Sequence, residues 1–117
     1  MRQSLEIKVS QEDSVSKVIL MGAIDTVSVE QLKSEVLPLC EKPEPRIIMD
    51  CTRLSYVNSM CMGQFSFFAQ RAEASGGKLV LFGLDASILE VMRLIHLHEV
   101  LPICETRDEA LKRVGAV

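Results

Sequence analysis

Apolar and polar positions alternate near the start of the chain. Leu5, Ile7 and Val9 are separated by Glu6, Lys8 and Ser10, and a period of two marks a strand with one face buried. After the polar stretch Gln11 to Ser14, the β-rich run Val15 to Met21 predicts a second strand, paired with the first as a hairpin. Gly22-Ala23-Ile24-Asp25 then breaks the pattern. A helix is expected from Ser28, which can cap it, with Gln31 completing a capping box. Val29, Leu32 and Val36 share one face of this helix, and Leu39 follows. Pro38 has no N–H and is expected to kink or end the helix near Leu37. Cys40 to Arg46 contains Pro43 and Pro45 and reads as a loop.

The continuous apolar run Ile47-Ile48-Met49, ending at Asp50, suits a strand covered on both faces of a parallel sheet. The pattern predicts a loop over Cys51 to Asn58, then a long helix from about Ser59 to Ala74, stopped by Gly76 and Gly77. Leu79 to Phe82 forms another buried strand. Asp85 or Ser87 caps the next helix, Ser87 and Glu90 fit a capping box, and Ile88, Val91, Met92 and Ile95 form its apolar face. Leu101 to Cys104 is a weak fifth strand. Thr106 opens a last short helix with Ala110, Leu111 and Val114 inward. Strands alternating with helices after a hairpin imply an α/β fold. The expected architecture is a mostly parallel sheet of four to five strands, an N-terminal antiparallel hairpin strand and about four helices, joined by right-handed crossovers. The 117 residues show no internal repeat or linker, so one domain over 1–117 is expected.

The long helix carries the functional signal. At about 100° per residue, Cys61, Met62, Phe65, Phe68, Ala69 and Ala72 fall in one stripe that should face the sheet. Gly63, Ser66, Gln70 and Glu73 flank the opposite face on one side, and Gln64 and Arg71 on the other. Met60 and Phe67 lie in the middle of that outer face, where the helix's own amphipathicity does not account for them. They predict a docking patch for a partner protein, with Phe67 as anchor and Met60 as an adaptable contact. Gly63 adds no bulk and lets another backbone approach. Ser59 stands where loop turns into helix, and either it or Asn58 can cap. A phosphate there is tolerated by the helix end, worth about 0.3–1 kcal/mol, and brings about two negative charges to the edge of the patch.

The formal net charge is −3, hydrophobic residues make up 48% and charged residues 25%, which is ordinary globular composition. There is no basic cluster for a nucleic-acid backbone. The N-terminus does not read as a signal peptide, and no apolar run approaches the roughly 20 residues that span a bilayer. A soluble, cytoplasmic protein without membrane insertion is therefore expected. Cys40, Cys51, Cys61 and Cys104 match no zinc spacing and read as reduced, packed thiols. Cys61 near a helix start is a candidate reactive thiol. Catalysis would also need a base, yet the only histidines are His96 and His98, and the wheel turns Cys61 inward. No catalytic residue, metal ligand or cofactor is assigned; a glycine-rich phosphate loop is missing too.

At these residues the chain resembles the STAS domain family, the anti-sigma factor antagonists and the cytosolic domains of sulfate transporters. Asn58-Ser59-Met60-Cys61-Met62-Gly63 occupies the place of that family's D-S-[ST]-G-x-G, which follows a buried strand and opens a helix. Gly22-Ala23-Ile24-Asp25 is similar to its G-x-[LI]-D, and Gly76-Gly77-Lys78-Leu79 to its G-G-x-[LIV]. The likeness runs over about residues 5 to 114. It implies a STAS fold and a mechanism without an active site. The unphosphorylated protein binds an anti-sigma factor that is also a serine kinase and so releases a sigma factor. Phosphorylation of the serine at the place of Ser59 breaks the complex, and a phosphatase resets it. The outer face of the helix is expected to supply the partner contacts, with Asn58, Met60, Gly63, Gln64, Phe67 and Arg71 taking part, and a monomer or weak dimer is expected. Asn58 stands for the motif's aspartate, Met60 for its hydroxyl residue and Cys61 for its glycine. Members also serve as scaffolds or as subunits of signalling and lipid-transport complexes, and that alternative stays open at this point.

Overall fold

A computed structural model describes residues 4–115. Its elements run β1 (Glu6–Glu12), β2 (Val15–Ile24), α1 (Val29–Cys40), β3 (Arg46–Val57), a 3₁₀ turn (Ser59–Cys61), α2 (Gly63–Ala74), β4 (Lys78–Phe82), α3 (Ala86–Leu94), a second 3₁₀ turn (Leu97–Glu99), β5 (Ile103–Cys104) and α4 (Arg107–Arg113). The strands form a sheet in the order β1-β2-β3-β4-β5. β1 pairs with β2 antiparallel, and the remaining pairs are parallel. Asp13 and Ser14 connect β1 to β2 with positive φ at both positions, as a type I′ hairpin turn requires.

Alternation along the central strands sorts side chains to two unequal layers. Ile47, Met49, Leu79 and Leu81 join Leu32 and Val36 of α1, Phe65, Phe68 and Ala72 of α2, and Ile88 and Met92 of α3 in the main core. The intervening Ile48 and Val80, with Phe82, turn the other way and meet Ala110 of α4 and Val114 just past its end. Ile47, Ile48 and Met49 are therefore all buried, which a continuous apolar run demands.

The structure departs from the pattern reading in several places. Cys51 to Val57 is not a loop but the second half of β3, paired with Met21 to Ile24 of an equally extended β2. Between Ile19 and Met21, and again between Gly22 and Ala23, β3 advances one residue more than β2. These two bulges reset the in–out alternation, so Cys51, Leu54 and Val57 all point inward at a spacing of three. Pro38 does not end α1, which continues to Cys40 because Leu39 and Cys40 are buried in the core. Ser28 makes no side-chain cap to α1, so the capping box with Gln31 does not form. Asp25 organises that start instead, its Oδ1 accepting from Val27 N (3.0 Å), Ser28 N (2.8 Å) and Ser28 Oγ (3.0 Å). Asp25 thereby has its carboxyl held below the usual range, chiefly by the Ser28 backbone and side-chain hydrogen bonds. Asp85, not Ser87, caps α3 by accepting from Ile88 N at 3.0 Å. Ile95 lies just past α3 and is exposed, because the chain leaves the helix at Leu94. β5 spans only Ile103–Cys104.

Candidate docking site at the start of α2

Parallel pairing of β2 with β3 brings the carboxyl ends of both strands together. Asn58 N donates to Ile24 O at 2.8 Å, which fixes the turn after β3 against the Gly22-Ala23-Ile24-Asp25 segment. Asn58 is extended (φ −62°, ψ 131°), and its Oδ1 accepts from Met60 N at 2.9 Å. The two capping candidates are thus resolved in favour of Asn58. Ser59 is exposed, and its hydroxyl makes no hydrogen bond with any described residue.

The expected single helix from Ser59 is divided. Ser59–Cys61 is a 3₁₀ turn, Met62 joins it to α2, and α2 proper starts at Gly63. Cys61 N donates to Asn58 O (2.8 Å) and Met62 N to Ser59 O (3.3 Å). With the Met60 amide held by Asn58, these three N–H groups are occupied. A phosphate on Ser59 would find fewer open donors here than at an ordinary helix start.

The inward stripe is as the wheel predicts: Cys61, Met62, Phe65, Phe68, Ala69 and Ala72 are all buried. On the outer side Met60 is 84% exposed and Phe67 41%. A Cβ added at Gly63 would meet nothing within 4 Å, so the surface between them is open. Gln64 is half-buried, and its Oε1 is shielded from solvent without a hydrogen-bond partner among the described residues. Arg71 pairs with Glu41 at 2.6 Å, and its guanidinium lies 6.0 Å from the centre of the Phe67 ring. Glu41 belongs to the α1–β3 connection, thirty positions away, and no local pattern marks it as part of this face.

Cys61 faces the core, and burial, followed by the negative charge of Asp25, pushes its thiol up. This is the opposite of what a reactive thiolate needs. His96 and His98 are exposed beyond α3, stacked on each other with ring centres 6.4 Å apart. Among the described residues no group of three or more His, Cys, Asp or Glu could hold a metal ion, and no helix is long and apolar enough to cross a membrane.

The family model of the STAS domain matches residues 6–110. This chain belongs to the STAS domain family. A Bordetella bronchiseptica protein named as a candidate anti-sigma factor antagonist, BtrV, is 24% identical over 106 residues, 91% of each chain. The crystal structure of an anti-sigma factor antagonist from Mycobacterium paratuberculosis superimposes with a TM-score of 0.82 at 19% identity, over 95% of this chain and 94% of the other. The antagonist SpoIIAA in its unphosphorylated form gives a TM-score of 0.74 at 20% identity, over 97% and 98%. The phosphorylated form of SpoIIAA from Bacillus gives 0.66 at 21%, over 95% and 99%. The antiparallel first pair, the parallel remainder and the four helices are the STAS fold.

Proposed function

We propose that this STAS domain is a phosphorylation-switched protein-interaction module of the anti-sigma factor antagonist type. In its unphosphorylated state the outer face of α2 docks an anti-sigma factor that is also a serine kinase, and the sigma factor held by that protein is released. Phe67 is the anchor, Met60 adapts to the partner surface, Gly63 admits close approach, and Asn58, Gln64 and Arg71 supply polar contacts. Phosphorylation of Ser59 adds about two negative charges beside Met60, and the cost of desolvating them weakens docking. A phosphatase restores the first state. The module works in the cytoplasm by binding, without turnover of a substrate.

The observation that carries this reading is the exposed hydroxyl of Ser59, without a hydrogen-bond partner among the described residues, at the head of an outer face that exposes Met60 and Phe67. Asn58 does the capping, so Ser59 can be modified without dismantling the turn. The names of the relatives support it, as does the existence of SpoIIAA in both phosphorylated and unphosphorylated forms.

The test is calorimetric titration of the purified chain against serine-kinase anti-sigma factors from the same cell. Truncating a central aromatic anchor typically costs about 2 kcal/mol, roughly thirtyfold in affinity. Phe67→Ala should lose about that much, Ser59→Glu about tenfold or more, and Ser59→Ala little. Incubation with the kinase and ATP should add one phosphate at Ser59, seen by intact mass and absent from Ser59→Ala. Unchanged affinity in both Phe67→Ala and Ser59→Glu would sink the docking face.

A second reading, a non-switching scaffold or subunit of a larger signalling or lipid-transport complex, is favoured by Met60 and Cys61. Both depart from the motif, and Cys61 has its side chain buried where the motif has glycine. Under that reading native protein carries no phosphate at Ser59 in any growth condition and runs in a very large particle on gel filtration.

A further inference from the structure

β1 is an edge strand seven residues long, and among the described residues no strand covers its outer side. Long uncovered edges are templates for pairing with another chain. The residue pairing with β2 shows which backbone groups face outward. The two-residue turn at Asp13 and Ser14 closes on the pair Glu12–Val15, and a β-turn's hydrogen bond joins its first and fourth residues. Antiparallel ladders alternate hydrogen-bonded and non-bonded pairs. Ser10, Lys8 and Glu6 therefore bond to β2, and Ile7, Val9 and Gln11 turn their N–H and C=O groups to the open edge.

The side chains along that edge are complementary to themselves in one register. We propose that β1 is a self-association edge, at which a second copy of this chain pairs antiparallel about a two-fold axis at Ile7. Ile7 then faces Ile7 of the second copy and exchanges hydrogen bonds with it, and Leu5 faces Val9 in both directions. On the opposite side of the sheet, Glu6 faces Lys8 twice. Val9, which the monomer leaves 41% exposed, gains an apolar neighbour on the helix-covered side of the sheet. Neighbouring registers are penalised. An axis at Lys8 sets Lys8 against itself, and an axis at Val9 sets Glu6 against Glu12; like charges directly opposite destabilise a strand pair. Cross-strand pairs of this kind each contribute little, which makes the dimer weak and concentration-dependent. The interface lies at the β1 edge and α2 packs beside β4, so this proposal does not depend on the docking reading.

Sedimentation of the full chain, over a dilution series from micromolar to near-millimolar, tests it. The expected result is a reversible monomer–dimer equilibrium. Lys8→Glu and Glu6→Lys should each raise its dissociation constant about tenfold or more, and the charge-swapped double variant should return it close to wild type. Val9→Pro removes one outward N–H at a position where an edge strand tolerates proline. It should abolish the dimer with the circular dichroism spectrum unchanged. A monomer at every concentration overturns the proposal. So does a dimer indifferent to Lys8→Glu, or a double variant that stays as weak as the singles.

Discussion

Asn58 and Ser59 are adjacent and chemically similar as caps, yet the backbone gives them different work. Asn58 is extended and aims its side-chain carbonyl oxygen at the Met60 amide; Ser59 is the first residue of the turn and is exposed. An asparagine at this place keeps the acceptor that a motif aspartate would supply and leaves out its charge. Asp25 provides a different test at the same scale. Its carboxyl is held below the ordinary aspartate value of about 4 by hydrogen bonds from Ser28 and Val27. A depressed folded-state pKa contributes stability that is complete above the unfolded value and is lost as pH falls through the folded one. Wild type should therefore lose more stability to urea than Asp25→Asn between neutral pH and about pH 3. The Val27 and Ser28 amide resonances should titrate with a midpoint below about 4. A midpoint at or above the ordinary value would mean that these hydrogen bonds do not favour the carboxylate. The identity of the cap was not legible in the sequence, because Asn58 and Ser59 suit the role equally by residue type.

At the scale of elements, the strands with unbroken periodicity were legible and the one with bulges was not. β1 and the first half of β3 follow a simple period or a continuous apolar run. Past Asp50 the inward residues Cys51, Leu54 and Val57 are three apart, a spacing that belongs to neither a flat strand nor a full helical stripe. The wheel over α2 succeeded because its buried stripe is wide enough to survive the change from a 3₁₀ to an α start. Pro38 misled for a different reason: the missing N–H costs one hydrogen bond, and the burial of Leu39 and Cys40 outweighs it. The entry to β4 shows sterics acting alone. A Cβ at Gly77 would fall 1.8 Å from Pro45 O, and Lys78 N donates to that same oxygen at 2.7 Å. Gly77→Ala forces these backbones apart and should cost about 1–3 kcal/mol, the range for overpacking, read as a lower urea midpoint. A substitution without effect there would show that the β3 and β4 entries are not held in this contact.

At the scale of the whole molecule, the two proposed surfaces lie on different elements, the outer face of α2 and the edge strand β1. The main core fills the space between the sheet and α1, α2 and α3, and on the other face α4 covers Val15 at the start of β2 together with Ile48, Val80, Phe82 and Cys104 of β3, β4 and β5. The proposed docking on α2 and the proposed pairing along β1 use different surfaces, so a β1 dimer would present two docking faces to partners at once. The two surfaces differ in what the hydrophobic pattern alone announces. Met60 and Phe67 were visible as misfits on a helix wheel, whereas the outward phase of β1 needed the turn and the pairing register. The four cysteines are all buried and lie in α1, β3, the turn before α2, and β5. Burial, with Glu41 adding to it, pushes the Cys40 thiol up to about 11, and burial, with Asp50 adding to it, pushes that of Cys51 up as well. An aqueous disulfide reagent reaches such groups only when the surrounding element opens. Each thiol is thus a clock on its own element. Ellman's reagent should modify the native protein slowly, with Cys51 in the sheet centre last. A partner that clamps the start of α2 should slow Cys61 while leaving Cys104 at its former pace.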